Sequence, residues 1–271
     1  MAAIDVGGIA AEVLACLDGR RQRQPYSATG AEISCADAYA VTAELRRLRI
    51  ARGERPLGRK IGFTNRNIWA EYKVFQPIWG DVYDTTMRDV SPGAEVRASH
   101  LPEPRIEPEI VLGLARDIPS GASLAEVAAA IGWVAHGFEI VQSIYPDWRF
   151  AVNDCVVDGG LHGALYVGPR RAVAPGGHGD LPRLLSELRI ELSRNGEAID
   201  RGVGTNVLDG PVHALKHLVD VLSTDRLNPP LKAGELVTTG TITRAFPVVA
   251  GERWSTVVEG FDLPGMSVTI V

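Results

Sequence analysis

The apolar positions near the start of the chain recur at the spacing of an α-helix. The first predicted helix has its apolar residues at Ile9, Val13, Leu14 and Leu17 and stops at Asp18-Gly19. The stretch ADAYAVTAELRRLRIARG predicts a second helix that ends at Gly53. From Leu57 onward the pattern changes to short β-like runs such as LGRKIGFT, WGDVYDTTM and RIEPEIVLGLA. We therefore expect a helical beginning followed by sheet.

Later segments carry sharper local signals. Ser123 and Glu126 form a capping-box pattern that predicts a short helix at the start of the apolar run VAAAIGWVA. The segment ELRIELSRNGEAIDRG predicts a hairpin that turns at Asn195-Gly196, and Asp209-Gly210-Pro211 opens another helix. Strands outnumber helices and do not alternate regularly with them, which predicts an α+β fold with a mixed, mainly antiparallel sheet. A dinucleotide-binding fold does not fit, because GVGTNVLDG lacks the required glycine spacing.

Composition and charge exclude several classes of protein. The 271 residues include 28 Lys and Arg against 33 Asp and Glu, a net charge of −5, so nucleic-acid binding is not expected. Three dispersed cysteines do not form a disulfide framework or a CxxC site. The sequence has neither a long apolar run nor a secretory signal, so we expect no membrane association and a cytoplasmic location.

Acidic residues within apolar segments are the main chemical signal. In a strand, Glu107 and Glu109 project from one face, while Ile106 and Ile110 point to the other. Pro108 cannot donate to a ladder, which predicts that this part of the strand lies at a sheet edge or barrel mouth. These residues alone are also compatible with a solvated acidic face.

A third acid, Glu139, lies in the apolar segment GFEIV and favours a different interpretation. Three carboxylates that meet in a site of low dielectric repel one another unless a cation neutralises them. Oxygen ligands suit Mg²⁺ or Mn²⁺, and three protein ligands leave positions open for a substrate. The pattern is therefore typical of a metal-dependent enzyme.

Five segments carry a family resemblance: GRKIGFT, RIEPEIVLGL, GFEIV, DCVVDGG and LKAGELVTTGTITRAFPVVAGE. In this order and spacing they resemble the fumarylacetoacetate hydrolase superfamily, in particular its branch of 2-keto-4-pentenoate hydratases and 4-oxalocrotonate decarboxylases. The resemblance implies an α-rich N-terminal domain, taken as residues 1–75, and a catalytic β-roll domain, 76–271. It also implies homo-oligomers, association with a partner lyase of the same pathway, and a place in aromatic meta-cleavage catabolism.

The resemblance also implies roles for single residues. The metal ligands would be Glu107, Glu109 and Glu139, which agrees with the interpretation above. Lys60 would stand beside the substrate, where a metal is expected to weaken its hold on its proton; in isolation it would be taken as a surface lysine. Thr239, Gly240 and Thr241 would form a turn that cradles a substrate carboxylate, or simply a turn at a strand end.

The chain departs from the family pattern at two places in the predicted pocket. Ile78 stands where hydratases commonly carry an Asp that could help to activate water, which favours decarboxylation. Asp158 matches the family pattern and is a candidate catalytic residue. Where family members carry a Ser that contacts the substrate, this chain has Leu161. His162, next to it, could replace that contact, act as a base, or simply face solvent.

The resemblance thus predicts a Mg²⁺- or Mn²⁺-dependent lyase of short 2-oxo or 2-hydroxydienoic acids, either a hydratase or a 4-oxalocrotonate decarboxylase. A carbon–carbon bond hydrolase fits less well, because SIYPDWRFAVNDCVVDGG lacks the Pro-Gly-Pro stretch of that branch. A non-catalytic subunit that stabilises a partner lyase is the alternative of a different class. A nicotinamide-dependent oxidoreductase is disfavoured by the topology.

Overall fold

The structure is a computed structural model that describes residues 4–30, 32–66, 69–72 and 75–271. Its helices are α1 (Val6–Gly19), α2 (Cys35–Ala51), α3 (Trp69–Tyr72), α4 (Leu124–Ala130), α5 (Val152–Val157), α6 (Leu181–Glu187) and α7 (Pro211–Thr224). The first two predicted helices correspond to α1 and α2, and the helix predicted at Pro211 is α7. The N-terminal helices are thus confirmed.

The strands of the described residues follow the predicted β-like runs. They are β1 (Pro56–Gly62), β2 (Ile78–Tyr83), β3 (Met87–Asp89), β4 (Ala94–Val96), β5 (Arg105–Leu114), β6 (Ile131–Val141), β7 (His162–Val167), β8 (Arg171–Ala172), β9 (Arg189–Arg194), β10 (Glu197–Val203), β11 (Leu236–Thr241), β12 (Phe246–Pro247), β13 (Arg253–Glu259) and β14 (Ser267–Ile270). The hairpin β9–β10 turns at Asn195 and Gly196, both with positive φ, as predicted.

The capping box at Ser123 predicts where helix α4 begins but not where it ends. Ser123 and Glu126 form the predicted capping box, in which the Glu126 carboxylate accepts a hydrogen bond from the Ser123 N–H at 2.8 Å. The helix ends at Ala130, however, and the IGWVA part of the predicted run belongs to β6. A strand buried on both faces reads as a continuous apolar run, which periodicity cannot distinguish from a buried helix.

The strands form two sheets. The larger has the order β2-β1-β11-β5-β6-β7-β3, with β12 beside β5 and β8 beside β6, and the smaller has the order β10-β9-β13-β14-β4. Most neighbours are antiparallel, while the pairs β1/β11, β3/β7 and β4/β14 are parallel. The α+β class and the mixed, mainly antiparallel sheet are confirmed.

Two buried clusters hold these layers together. Phe138 and Ile140 of the larger sheet share one cluster with Trp254 and Val268 of the smaller sheet. A second cluster joins the larger sheet to helices α1, α2, α5 and α7. Strand β5 contributes Ile106 to the first cluster and Ile110 to the second, both fully buried, while Glu107 and Glu109 lie on its other face, as predicted.

The N-terminal part of the chain is joined to the sheet by β1, which pairs in parallel with β11 and antiparallel with β2. The division of the chain at residue 75 stays a prediction. Within the described residues, no helix combines the length and the apolar character that crossing a bilayer requires.

Candidate active site

Strands β5 and β6 bring three carboxylates together near the middle of the larger sheet. Glu107 lies directly opposite Glu139 in the antiparallel register, and Glu109 follows two residues later on the same face. One oxygen from each of the three side chains lies within 4.8 Å of the other two. The predicted convergence of the three acids is therefore present.

Of the two positions predicted for Pro108, the sheet edge is wrong, and the mouth of a barrel-like sheet stays a prediction. Strand β5 lies between β11 and β6 in the interior of the sheet. Strand β11 ends at Thr241, which pairs with Glu109, so Pro108 lies just past its last paired residue. There the Pro108 carbonyl accepts a hydrogen bond from the Ile242 N–H at 3.0 Å. Because no ladder pair of β11 requires an N–H at this position, a proline is tolerated in a central strand.

The two fully buried glutamates share a pattern of one held and one open oxygen. Glu109 Oε2 accepts hydrogen bonds from the Gly240 N–H, at 2.7 Å, and from the Thr238 hydroxyl, while its Oε1 has no hydrogen-bond partner in the described part of the chain. Glu139 Oε1 lies 2.8 Å from His162 Nδ1; Oε2 forms no hydrogen bond there and lies 3.3 Å from Lys60 Nζ. Buried carboxylate oxygens without donors fit a hard cation such as Mg²⁺ or Mn²⁺.

Electrostatics lead to the same conclusion. Burial, with the charge of Glu139 beside it, raises the pKa of Glu109 to about 8. Removal from water also raises the pKa of Glu107 and of Glu139. Negative charge on this cluster is therefore costly unless positive charge compensates it.

Lys60 supplies part of that positive charge. It lies on β1, is almost completely buried, and faces Glu139. Burial alone would lower the pKa of Lys60, but the carboxylates of Glu139, Glu107 and Glu109 outweigh it and raise the pKa. This direction applies to the protein without a metal; the weaker hold of Lys60 on its proton beside a bound cation stays a prediction.

Lys60 and Glu107 line a cavity of about 170 Å³. Four other predicted site residues line it as well: Ile78, Leu161, Gly240 and Thr241. Leu161 follows two left-handed glycines and itself has a φ of +64°, a conformation that costs a residue with a β-carbon on the order of 1 kcal/mol. The chain thus places an apolar side chain in the cavity at some cost in backbone strain.

The structure places three other predicted residues outside this cavity. The Thr239 hydroxyl donates to the Ile110 carbonyl at 2.9 Å, within the sheet. Asp158 is buried, its Oδ2 accepts from the Ile144 N–H at 3.3 Å, and burial raises its pKa well above the usual value. His162 contacts Glu139 and lines a second cavity, which Gln142 also lines.

The predicted carboxylate cradle holds a carboxylate of the protein itself. The Gly240 N–H donates to Glu109, so it is already used. A β-carbon on Gly240, whose φ is +97°, would lie 2.0 Å from Thr64 Oγ1, so the turn requires glycine. Contact of Gly240 and Thr241 with a substrate stays a prediction.

Two residues of the site were not singled out in the sequence. Arg105 lines the cavity and stacks on Trp148, with 4.2 Å from its guanidinium carbon to the ring centroid. The alternation of Arg105, Glu107 and Glu109 along β5 was a signal for it, since all three share a face. Thr238, which holds Glu109, lies outside the cavity and follows only from the pairing of β11 with β5.

Comparisons with known proteins agree with this geometry. Residues 84–264 match the family model described as fumarylacetoacetate (FAA) hydrolase C-terminal. The chain is 32% identical over 246 residues to a 2-hydroxyhexa-2,4-dienoate hydratase of Comamonas testosteroni, covering 90% of each chain. It is 31% identical to a 4-oxalocrotonate decarboxylase of Pseudomonas putida, covering 82% of this chain and 81% of the relative.

A solved structure is also similar over almost the whole chain. The 4-oxalocrotonate decarboxylase from Pseudomonas putida G7, complexed with magnesium and adipate, matches with a TM-score of 0.88 and 28% identity. The match covers 98% of this chain and 97% of that one, and so includes the N-terminal helices as well as the sheets.

Proposed function

Because the chain belongs to the fumarylacetoacetate hydrolase family, we propose that it is a Mg²⁺- or Mn²⁺-dependent lyase of short 2-oxo and 2-hydroxydienoic acids, similar to the 2-keto-4-pentenoate hydratases. The observation that carries this proposal is the cluster of Glu107, Glu109 and Glu139 beside a cavity that Lys60 lines. Hydratases and decarboxylases of such acids are among the relatives of the chain.

The three glutamates would hold the cation. A bound divalent cation supplies Lewis-acid polarisation of the keto oxygen of a 2-oxo acid. The residues that line the cavity then determine whether the carbon chain of the substrate is hydrated or decarboxylated. Thr238, Gly240 and His162 keep one oxygen of Glu109 and of Glu139 in place, so little reorganisation is needed when substrate binds.

Lys60 is the residue proposed to hold and move the proton. The carboxylates around it keep its ammonium charged, and it lines the cavity. In the hydration of a 2-hydroxydienoate, the enol oxygen loses its proton and the terminal carbon gains one, which gives an unsaturated 2-oxo acid. Water then adds across the remaining carbon–carbon double bond. Lys60 would deliver that proton from Nζ, or pair with the substrate carboxylate and orient it. A catalytic role for Asp158 and His162, which do not line this cavity, stays a prediction.

A product assay tests the proposal. Incubation with Mg²⁺ and 2-hydroxypenta-2,4-dienoate is expected to give 4-hydroxy-2-oxopentanoate without release of CO₂. EDTA should abolish the conversion and Mg²⁺ or Mn²⁺ should restore it. No turnover of this acid or of 4-oxalocrotonate with either metal would contradict the proposal and favour a non-catalytic subunit.

Decarboxylation of 4-oxalocrotonate is the second candidate, and two features of the cavity favour it. Ile78 places no carboxylate there to help activate water. Arg105 forms no ion pair with an acid of the described residues, so its guanidinium suits the second carboxylate of a dicarboxylic substrate. In this reaction a carbon–carbon bond breaks, CO₂ leaves, and a proton takes its place on the chain.

Replacing Arg105 with glutamine separates the two candidates. If the enzyme decarboxylates a dicarboxylic acid, Arg105→Gln should raise the KM for 4-oxalocrotonate by about 10- to 100-fold, the loss of one charge-assisted contact. The KM for 2-hydroxypenta-2,4-dienoate, which lacks the second carboxylate, should change less than threefold or so. Equal effects on both substrates would contradict recognition of the second carboxylate by Arg105.

The proposal extends to the setting of the enzyme. A cytoplasmic location is supported by the absence of a membrane-spanning helix in the described residues. Assembly into a homo-oligomer, and association with a partner lyase of the same pathway, belong to the same proposal. The α-rich domain of residues 1–75 beside a catalytic domain of 76–271 is part of the same proposal.

A further inference from the structure

The ring of His162 connects Glu139 to a threonine on the far side from the cavity. His162 Nδ1 lies 2.8 Å from Glu139 Oε1, and His162 Nε2 lies 2.9 Å from Thr86 Oγ1. The histidine side chain is 4% exposed, and its contact with Glu139 is buried, while its contact with Thr86 borders the second cavity. Both ring nitrogens are therefore used in one continuous chain of hydrogen bonds.

The direction of these hydrogen bonds follows from their chemistry. A carboxylate can only accept, so His162 Nδ1 carries a proton and donates it to Glu139 Oε1. In the neutral ring, Nε2 then accepts from the Thr86 hydroxyl. The Thr86 oxygen in turn accepts from the Tyr83 N–H at 3.1 Å, which fixes it at the end of β2.

A β-bulge turns His162 toward Glu139. Leu165 and Ala164 pair with Glu139 and Ile140, but Val141 pairs with His162 rather than Gly163, so one extra residue stands in β7. A bulge of this kind redirects the side chain that follows it. A β-carbon on Gly163 would lie 2.5 Å from the Ile140 carbonyl oxygen, so the close approach of the strands at the bulge requires glycine.

The contact matters because Glu139 also faces a lysine. With Oε1 held by His162, Oε2 is the oxygen that faces Lys60 and accepts no hydrogen bond from the described residues. Without the histidine, both oxygens would be free to rotate toward the ammonium group. Glu109 is held in the same way, by Thr238 and Gly240, but through residues of β11.

We propose that His162, supported by Thr86, is a positioning residue that fixes the Glu139 carboxylate so that Oε2 is presented to the divalent cation. The inference rests on the proposed metal-dependent function. In this inference His162 holds a metal ligand in position, whereas the sequence suggested that it contacts the substrate or acts as a base. Hydrogen bonds that orient metal ligands typically change metal affinity by about 10- to 100-fold.

Binding of Mn²⁺ to the purified full chain without substrate, followed by electron paramagnetic resonance, tests this inference. We expect His162→Ala to raise the Kd for Mn²⁺ by about 10- to 100-fold. His162→Asn keeps an N–H donor near the Nδ1 position and should recover most of the affinity. Thr86→Val removes only the supporting hydroxyl and should raise the Kd by a smaller factor, roughly threefold to tenfold.

The matched control is Gln142→Ala. Gln142 lines the same second cavity but contacts the His162 backbone carbonyl, not Glu139, so its loss should leave the Kd for Mn²⁺ unchanged. Urea unfolding curves show which variants are folded. If the His162→Ala protein is not folded, the Kd of the Thr86→Val protein for Mn²⁺ tests the inference alone. Wild-type affinity in a folded His162→Ala protein, or in Thr86→Val when it decides alone, would overturn the inference. Failure of the wild type to bind Mn²⁺ would instead overturn the proposed function.

Discussion

Replacing Glu109 with glutamine is expected to abolish Mn²⁺ binding in the micromolar range and to lower turnover by about 1,000-fold, as loss of several kcal/mol of Lewis-acid stabilisation would. The substitution keeps the shape of the side chain and removes its charge. Thr238 and Gly240 can still donate to the remaining carbonyl oxygen, so the turn of β11 should keep its place.

Stability provides an independent measurement of the same change. Because burial makes the charge of Glu109 costly, Glu109→Gln should leave the free energy of unfolding without metal unchanged or slightly higher. Mn²⁺ at 100 times its Kd should stabilise the wild type by about 2.7 kcal/mol and the variant hardly at all. Glu191→Gln is the matched control, since Glu191 pairs with Arg201 on the smaller sheet. Equal stabilisation of Glu109→Gln and wild type by Mn²⁺ would contradict the assignment.

Replacing Lys60 with methionine is expected to separate metal binding from turnover. Turnover should fall by about 100- to 10,000-fold, the usual contribution of a positioned proton donor. Mn²⁺ should bind at least as tightly as to the wild type, up to about tenfold more tightly, because a competing positive charge 3.3 Å from Glu139 is gone. Steady-state kinetics and Mn²⁺ titration of the same preparation measure the two effects.

The kinetic constants of the Lys60→Met protein also distinguish its two proposed roles. A proton donor lowers kcat with little change in KM, whereas a partner of the substrate carboxylate raises KM. Lys232→Met is the control, since that lysine pairs with Asp117 at the surface. Full activity of the Mn²⁺-loaded Lys60→Met protein would show that Lys60 only balances charge, and weaker Mn²⁺ binding would show that it supports the ligands directly.

Local patterns in the sequence predicted the parts of the site that lie within one element. The alternation along β5 places Glu107 and Glu109 on one face, and the structure has them there. The same alternation also places Arg105 on this face of β5. Turn chemistry at Asn195-Gly196 and the capping box at Ser123 depend only on neighbours in sequence, and both are present.

Features that depend on pairing between distant strands could not be predicted from local patterns. The position of Glu139 opposite Glu107 follows from the register of β5 with β6. The prediction that Pro108 lies at a sheet edge is wrong because β11, more than 100 residues later, pairs with β5 on the side away from β6 and ends just before the proline. His162 contacts Glu139 because of a bulge in β7. The residues near this bulge form no sequence pattern that predicts it.

Anomalous diffraction from a crystal soaked in Mn²⁺ and oxalate tests the central claim most directly, because oxalate copies the chelating end of a 2-oxo acid. We predict one strong peak between the carboxylates of Glu107, Glu109 and Glu139, about 2.0–2.2 Å from an oxygen of each, with oxalate on its cavity side. A crystal in which Mn²⁺ binds elsewhere, with these carboxylates paired only with Lys60 and His162, would contradict the account.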